Sequence, residues 1–189
     1  MKRSDLEHIL RASKGVTGET EFIVIGSQSI LGPFPDAPRE LRKSMEADLY
    51  PKYRPDLSAE IEGSLGRYSQ FDQTYGYFAD GVSPDTATLP EGWDQRLVRI
   101  SNENTRGAIG WCLEQHDLAY SKLAAGREKD LAFVTALTRF KMVRISRLEH
   151  LIGGVKDQEL QDRLSVALQG CKRRAVGELR DGSAPESKS

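Results

Sequence analysis

Cysteine and histidine are scarce: there are two of the first, Cys112 and Cys171, and three of the second in 189 residues. The cysteines lie far apart with no second Cys or His at ligand spacing, so neither a zinc site nor a disulfide framework is favoured. Both read as reduced thiols packed as small hydrophobes. His8, His116 and His150 show no triad or metal spacing, and His116-Asp117 reads as a helix start. Long apolar runs are missing too. No stretch approaches the roughly 20 residues that cross a bilayer, and Met1-Lys2-Arg3-Ser4-Asp5 runs into a charged amphipathic pattern, not an apolar secretory segment. No membrane partner is expected, and the cytoplasm is the expected compartment. Nor is there an excess of one charge: 27 Lys and Arg face 28 Asp and Glu, a net charge of −1. A globally basic nucleic-acid binder is excluded, and the distribution of charge matters more than its sum. Acids dominate around Glu46, Asp48, Asp56, Glu60 and Glu62. Lys122, Arg127, Lys129, Arg139, Lys141, Arg144 and Arg147 crowd a later stretch, either as solvated helix faces or as a phosphate track.

What is present suits a globule. A hydrophobic fraction of 38% and a charged fraction of 29% are ordinary for folded domains, and the length allows one well-buried core with a helical appendage. Leu6, Ile9 and Leu10 fall on one face of a helix starting at Ser4-Asp5 and ending near Lys14-Gly15. Phe22-Ile23-Val24-Ile25 is a continuous apolar run closed by Gly26, the pattern of a fully buried strand, and Ser27 opens a short helix through Leu31. After the Pro-rich loop at residues 32–38, Arg39 to Met45 reads as short helix or coil. Glu46-Ala47-Asp48-Leu49-Tyr50 then alternates like a strand stopped by Pro51. A helix is expected over 57–65, strands over 75–79, 96–100 and 108–113, and helices from Asp117 onward with breaks at Gly126 and Gly153-Gly154. The class is α/β (α+β): a mixed sheet flanked by helices, with a helical C-terminal portion.

The residues with chemical meaning sit at the first strand and the alternating one. In a strand, residues i and i+2 point the same way, so Glu46 and Asp48 share a face and can share Mg²⁺ or Mn²⁺ through oxygen ligands. Gly26 lets a phosphate approach the backbone without a Cβ in the way, and the Ser27 hydroxyl can bind phosphate oxygens. Each piece alone is common: Gly-Ser after a strand is ordinary turn chemistry, and alternating acids are ordinary solvent faces. Together, Ile25-Gly26-Ser27 and Ser44-Met45-Glu46-Ala47-Asp48-Leu49 resemble the signature of polymerase-β-type nucleotidyltransferases, a Gly-Ser or Gly-Gly turn followed by an acid-x-acid strand. Two departures stand out: the halves are more widely spaced than usual, and the first acid is Glu where Asp is commoner. A third carboxylate on a later strand is usual. Asp80 is the positional candidate, although the following Gly81 favours a turn-forming Asp. Ser44 is read as a cap, a phosphate ligand, a modified residue or a plain strand-start residue. Trp93 and Trp111 read as core or loop anchors.

A second segment, from His116-Asp117-Leu118 through Lys122 and Gly126-Arg127-Glu128-Lys129-Asp130-Leu131, resembles small nucleotidyltransferase toxins of the MenT and AbiEii-like type. The resemblance implies that Lys122 and Arg127 act on the triphosphate and that Asp130 supports the site, with Lys129 a lesser candidate. An alternative for Arg127 and Asp130 is a helix-surface ion pair, three residues apart. The domain reading that follows is a nucleotidyltransferase core over 1–114, a helical portion completing the site over 115–180 and a flexible tail over 181–189. The implied activity takes a nucleoside triphosphate (NTP), with Mg²⁺ or Mn²⁺, and moves a nucleotide to a tRNA 3′ end, as the toxin of a toxin–antitoxin pair with a cognate antitoxin. Two other readings stay open: nucleotidylation of a protein hydroxyl, and a nucleotide-binding module without turnover.

Overall fold

A computed structural model describes residues 1–180. They form two compact units, Met1–Leu118 and a second that begins at Ala119. In the first, helix α1 (Arg3–Thr17) starts where the Lys2 amide donates to Asp5 Oδ2 at 2.6 Å. Leu6, Ile9 and Leu10 are its buried face. It runs past Gly15 and ends where Gly18, at φ 74°, takes the left-handed conformation that closes a helix. Gly15 is therefore an interior residue, and the stop signal lies three positions beyond the expected one.

The sheet has the order β3-β2-β1-β5-β4, with strands β1 (Glu21–Ile25), β2 (Glu46–Pro51), β3 (Phe78–Gly81), β4 (Val98–Ile100) and β5 (Ile109–Cys112). β1 is central, antiparallel to β2 and parallel to β5. β2 runs parallel to β3, and β4 antiparallel to β5. Phe22, Ile23, Val24 and Ile25 are at most 3% exposed, which is why that run carries no alternation. Pro51 is the last residue of β2, opposite Phe22, at a strand end where a missing amide is tolerated.

Other boundaries also differ from the sequence expectation: α4 begins at Gln115, before Asp117, and β5 covers Ile109–Cys112. Tyr75 ends a helix, α3 (Gln70–Tyr75), started by Ser69 Oγ, which accepts from the Asp72 amide at 3.2 Å, and stopped by Gly76 at φ 72°. β3 consequently begins at Phe78 and includes Asp80 and Gly81. Arg96 belongs to a 3-10 turn, Trp93–Arg96, and β4 begins at Val98. Helix α2 (Ser58–Leu65) lies so close to β3 that a Cβ on Gly81 would stand 2.0 Å from the Ser58 carbonyl oxygen. Gly81 is there for close approach, not for a turn.

Helix α4 (Gln115–Ala125) carries the chain into the second unit, followed by α5 (Glu128–Arg139), α6 (Ile145–Gly153) and α7 (Gln158–Arg180). α5 and α7 pack together; Val134 and Leu137 of α5 and Leu164, Leu168, Cys171 and Ala175 of α7 are buried. The breaks fall at Gly126, at φ 66°, and at Gly153-Gly154, as expected. The expected tail over 181–189 lies outside the described residues. The fold is a mixed α/β structure whose five-stranded sheet is flanked by helices and followed by C-terminal helices, in agreement with the class read from the sequence.

Candidate active site

The pairing of β1 with β2 sets Ile25 opposite Asp48, so the turn that leaves β1 passes directly beside the Asp48 carboxylate. Gly26 adopts φ 67°, ψ −172°, a backbone region essentially reserved for glycine. A Cβ on it would lie 1.7 Å from Asp48 Oδ2. The sequence pairing of a Gly-Ser turn with an acid-x-acid strand is thus a physical contact. Ser29 holds the turn by donating to the Gly26 carbonyl from its amide at 3.2 Å and its hydroxyl at 3.0 Å. Buried Gln28 reaches across to the strand start, where its Nε2 donates to the Ser44 carbonyl at 3.2 Å. Ser44 Oγ accepts from the Glu46 amide at 3.1 Å, so this hydroxyl acts as a strand-start cap. Ser27, half-buried, opens the 3-10 turn Ser27–Leu31.

The parallel pairing of β2 with β3 places Asp80 opposite Asp48 and Phe78 opposite Glu46. One carboxylate oxygen from each of Glu46, Asp48 and Asp80 lies within 4.8 Å of the others, and all three residues are half-buried. Asp80 is a strand residue facing its partners, not the turn former suggested by Gly81. Like charges this close repel, and a cation between them relieves the repulsion. The donor set is all oxygen, the chemistry preferred by Mg²⁺ and Mn²⁺. The spacing is near the roughly 4 Å that separates opposite ligands around Mg²⁺. These residues fit a divalent cation.

Glu62, on α2, adjoins the cluster. Its Oε2 accepts from the Gly81 amide at 3.1 Å. Loss of water, then a hydrogen bond with Asp80, pushes its carboxyl above the usual range. The sequence placed Glu62 in an acid-rich stretch but gave no sign of this contact, which exists only because α2 packs on β3.

In the second unit, Lys122, Arg127 and Asp130 form one ion cluster. Asp130, 1% exposed, has Oδ1 3.0 Å from Lys122 Nζ and Oδ2 2.5 Å from Arg127 Nε. Burial alone would raise its pKa. The hydrogen bonds and charges of Arg127 and Lys122 outweigh that and hold the carboxyl below its ordinary range. Lys122 is itself buried and lies 5.8 Å from the Phe133 ring centroid, while Arg127 is exposed at the cap of α5. Lys129 is exposed.

Within the first unit, Asp117 is fully buried and gripped by the Arg96 guanidinium at 2.8–3.2 Å, a pair that sequence spacing does not suggest. His116, at the start of α4, has Nδ1 2.6 Å from Glu114 Oε1. Trp111 donates to Glu21 Oε2 at 2.7 Å, as an anchor would. The later basic residues divide. Lys141 and Arg144 are exposed, whereas Arg139 is 9% exposed at its side chain and paired with Glu178.

Neither the curated proteins nor the solved structures yield a significant match to this chain. A family model described as "Nucleotidyltransferase of unknown function (DUF6036)" matches residues 4–175. Because that match takes in the Gly26 turn, the acid cluster and nearly all of the helical unit, the chain belongs to this nucleotidyltransferase family.

Proposed function

We propose that the protein moves a nucleotide from a nucleoside triphosphate to an acceptor hydroxyl at a tRNA 3′ end, acting as the toxin of a toxin–antitoxin pair. The observation that carries the catalytic part is the convergence of Glu46, Asp48 and Asp80 against a glycine turn where any Cβ would run into the Asp48 carboxylate. Glu46, Asp48 and Asp80 would hold Mg²⁺ or Mn²⁺, which supplies charge neutralisation on the phosphates. The acceptor oxygen forms a bond to the α-phosphorus while the bond from that phosphorus to the bridging oxygen breaks. Pyrophosphate leaves with the electron pair, and the hydroxyl proton passes to water. The chain's own part is positioning. Gly26 admits the triphosphate to the backbone beside Asp48, and the Ser27 hydroxyl donates to its oxygens. By the resemblance of their segment, Lys122 and Arg127 contribute positive charge to the triphosphate, with Asp130 fixing both side chains. The tRNA acceptor and an antitoxin rest on that resemblance.

The test incubates wild-type and Glu46→Ala/Asp48→Ala protein with total tRNA, Mg²⁺ and each labelled triphosphate in turn. Label on tRNA that the double variant abolishes is the expected result. Label on protein transfers the acceptor to a protein hydroxyl, and no triphosphate consumption by folded wild-type protein leaves a nucleotide-binding module.

A further inference from the structure

The loop between α2 and α3 holds an exposed tyrosine in a costly conformation. Tyr68 has φ 68° and is 77% exposed. A left-handed backbone is unfavourable for a residue with a Cβ, and four hydrogen bonds impose it here. The Tyr68 amide donates to Asp72 Oδ2 at 2.9 Å, and its carbonyl accepts from Gln73 Nε2 at 3.0 Å. The Ser69 amide donates to the Gly66 carbonyl at 3.1 Å, and Ser69 Oγ caps α3. The loop is fixed although the ring it displays packs into no core.

The Arg67 guanidinium lies 5.3 Å from the Tyr68 ring centroid and 6.0 Å from that of Phe78. Phe78 is the register partner of Glu46 and lies two residues before Asp80, so it shares the face of the acid cluster. Across the sheet the sequence of features is the Gly26 turn beside Asp48, then Glu46 and Asp48, then Asp80 and Phe78 on the edge strand β3, then Arg67 and Tyr68. The turn suited to a triphosphate and this cation-aromatic group are on opposite sides of the carboxylates. A group entering from the β3 side reaches the cluster from the direction the triphosphate does not use.

We propose that Arg67, Tyr68 and Phe78 form a stacking platform for an unpaired nucleobase at the 3′ end of a nucleic-acid acceptor, an assignment that deepens the transferase reading and rests on it. A base has two π faces and no net charge, so a rigid aromatic ring with a guanidinium beside it holds it without reading its sequence. The adjoining backbone phosphate is the complement of Arg67.

The test uses the full chain and a fluorescein-labelled, unstructured RNA oligonucleotide ending in CCA, read by anisotropy. Tyr68→Ala is expected to weaken binding about tenfold, as loss of one base-stacking contact does. Tyr68→Phe should bind like wild type, and Arg67→Ala should bind severalfold more weakly. In turnover, Tyr68→Ala should raise KM for tRNA and leave KM for the triphosphate in place. Tyr68 is exposed, so the variants should fold, and circular dichroism of each variant is the check. Wild-type affinity in Tyr68→Ala overturns the platform, as does equal affinity of the wild type for a blunt duplex. Tyr68-dependent binding without triphosphate consumption keeps the platform and removes the catalytic reading. Turnover on tRNA that ignores Tyr68 keeps the catalysis and removes the platform.

Discussion

At the scale of single residues, Gly26 couples backbone conformation directly to an acid of the cluster. Its φ of 67° with ψ −172° and the 1.7 Å approach of Asp48 Oδ2 to a notional Cβ act together. Alanine there must shift either the turn or the carboxylate. Strain of this kind costs about 1–3 kcal/mol, and displacement of a catalytic group by about 1 Å costs on the order of 100-fold in rate. Gly26→Ala is therefore expected to lower the midpoint of thermal unfolding modestly and to lose about 100-fold in nucleotide transfer. A variant with normal transfer would show that Asp48 does not need its present place. Gly26 and Asp48 were legible in the sequence because strand run, glycine and acid alternation are local signals. Asp80 was only half legible: its Gly81 neighbour looks like a turn residue, and what demands glycine is the Ser58 carbonyl of α2, remote in sequence.

Elements built on strong periodicity were readable, whereas those set by caps and tertiary contact were displaced. β1 and β2 fell where continuous and alternating patterns put them. α3 leaves little trace in the sequence because Gln70–Tyr75 carries hardly any apolar stripe and depends on the Ser69 cap, and β3 starts later along the chain in consequence. In the ion cluster linking α4 to α5, spacing reveals only Arg127 with Asp130, three residues apart; Lys122, from the preceding helix, joins them. That link predicts a pH dependence. Asp130 has a depressed folded pKa, so its stabilisation is fully present above the unfolded value, about 4. It is lost as pH falls through the lower folded value. Asp130→Asn leaves buried Lys122 without its carboxylate and should cost about 2–3 kcal/mol at pH 7, less than a fully buried pair because Arg127 stays in water. The gap in thermal midpoint between wild type and variant should close as pH drops below about 4. A gap that stays constant down to pH 3 would mean that the loss in the variant does not come from the ionised carboxylate.

Across the whole molecule the two compact units carry one cysteine each, and this makes their opening separately measurable. Cys112 is fully buried in β5, where burial pushes its thiol up to about 12. Cys171 is fully buried in α7, its thiol also raised by burial, and its Sγ donates to the Leu131 carbonyl at 3.4 Å. Reaction with a thiol reagent needs thiolate and access, and the native state offers neither. Modification near neutral pH must therefore wait for local or global unfolding. The first unit closes a five-stranded sheet whose pairings join distant segments, while the second relies on α5 against α7 and shorter helical contacts. Smaller cores bury less of their surface and open at lower cost. Mass spectrometry of pulse-labelled protein in rising urea should accordingly find Cys171 modified before Cys112, with both silent in buffer while free thiol reacts fully. Equal rates at every urea concentration would show that the units unfold as one cooperative body. Prompt labelling of Cys112 alone would place the weak point in the sheet that carries the acid cluster.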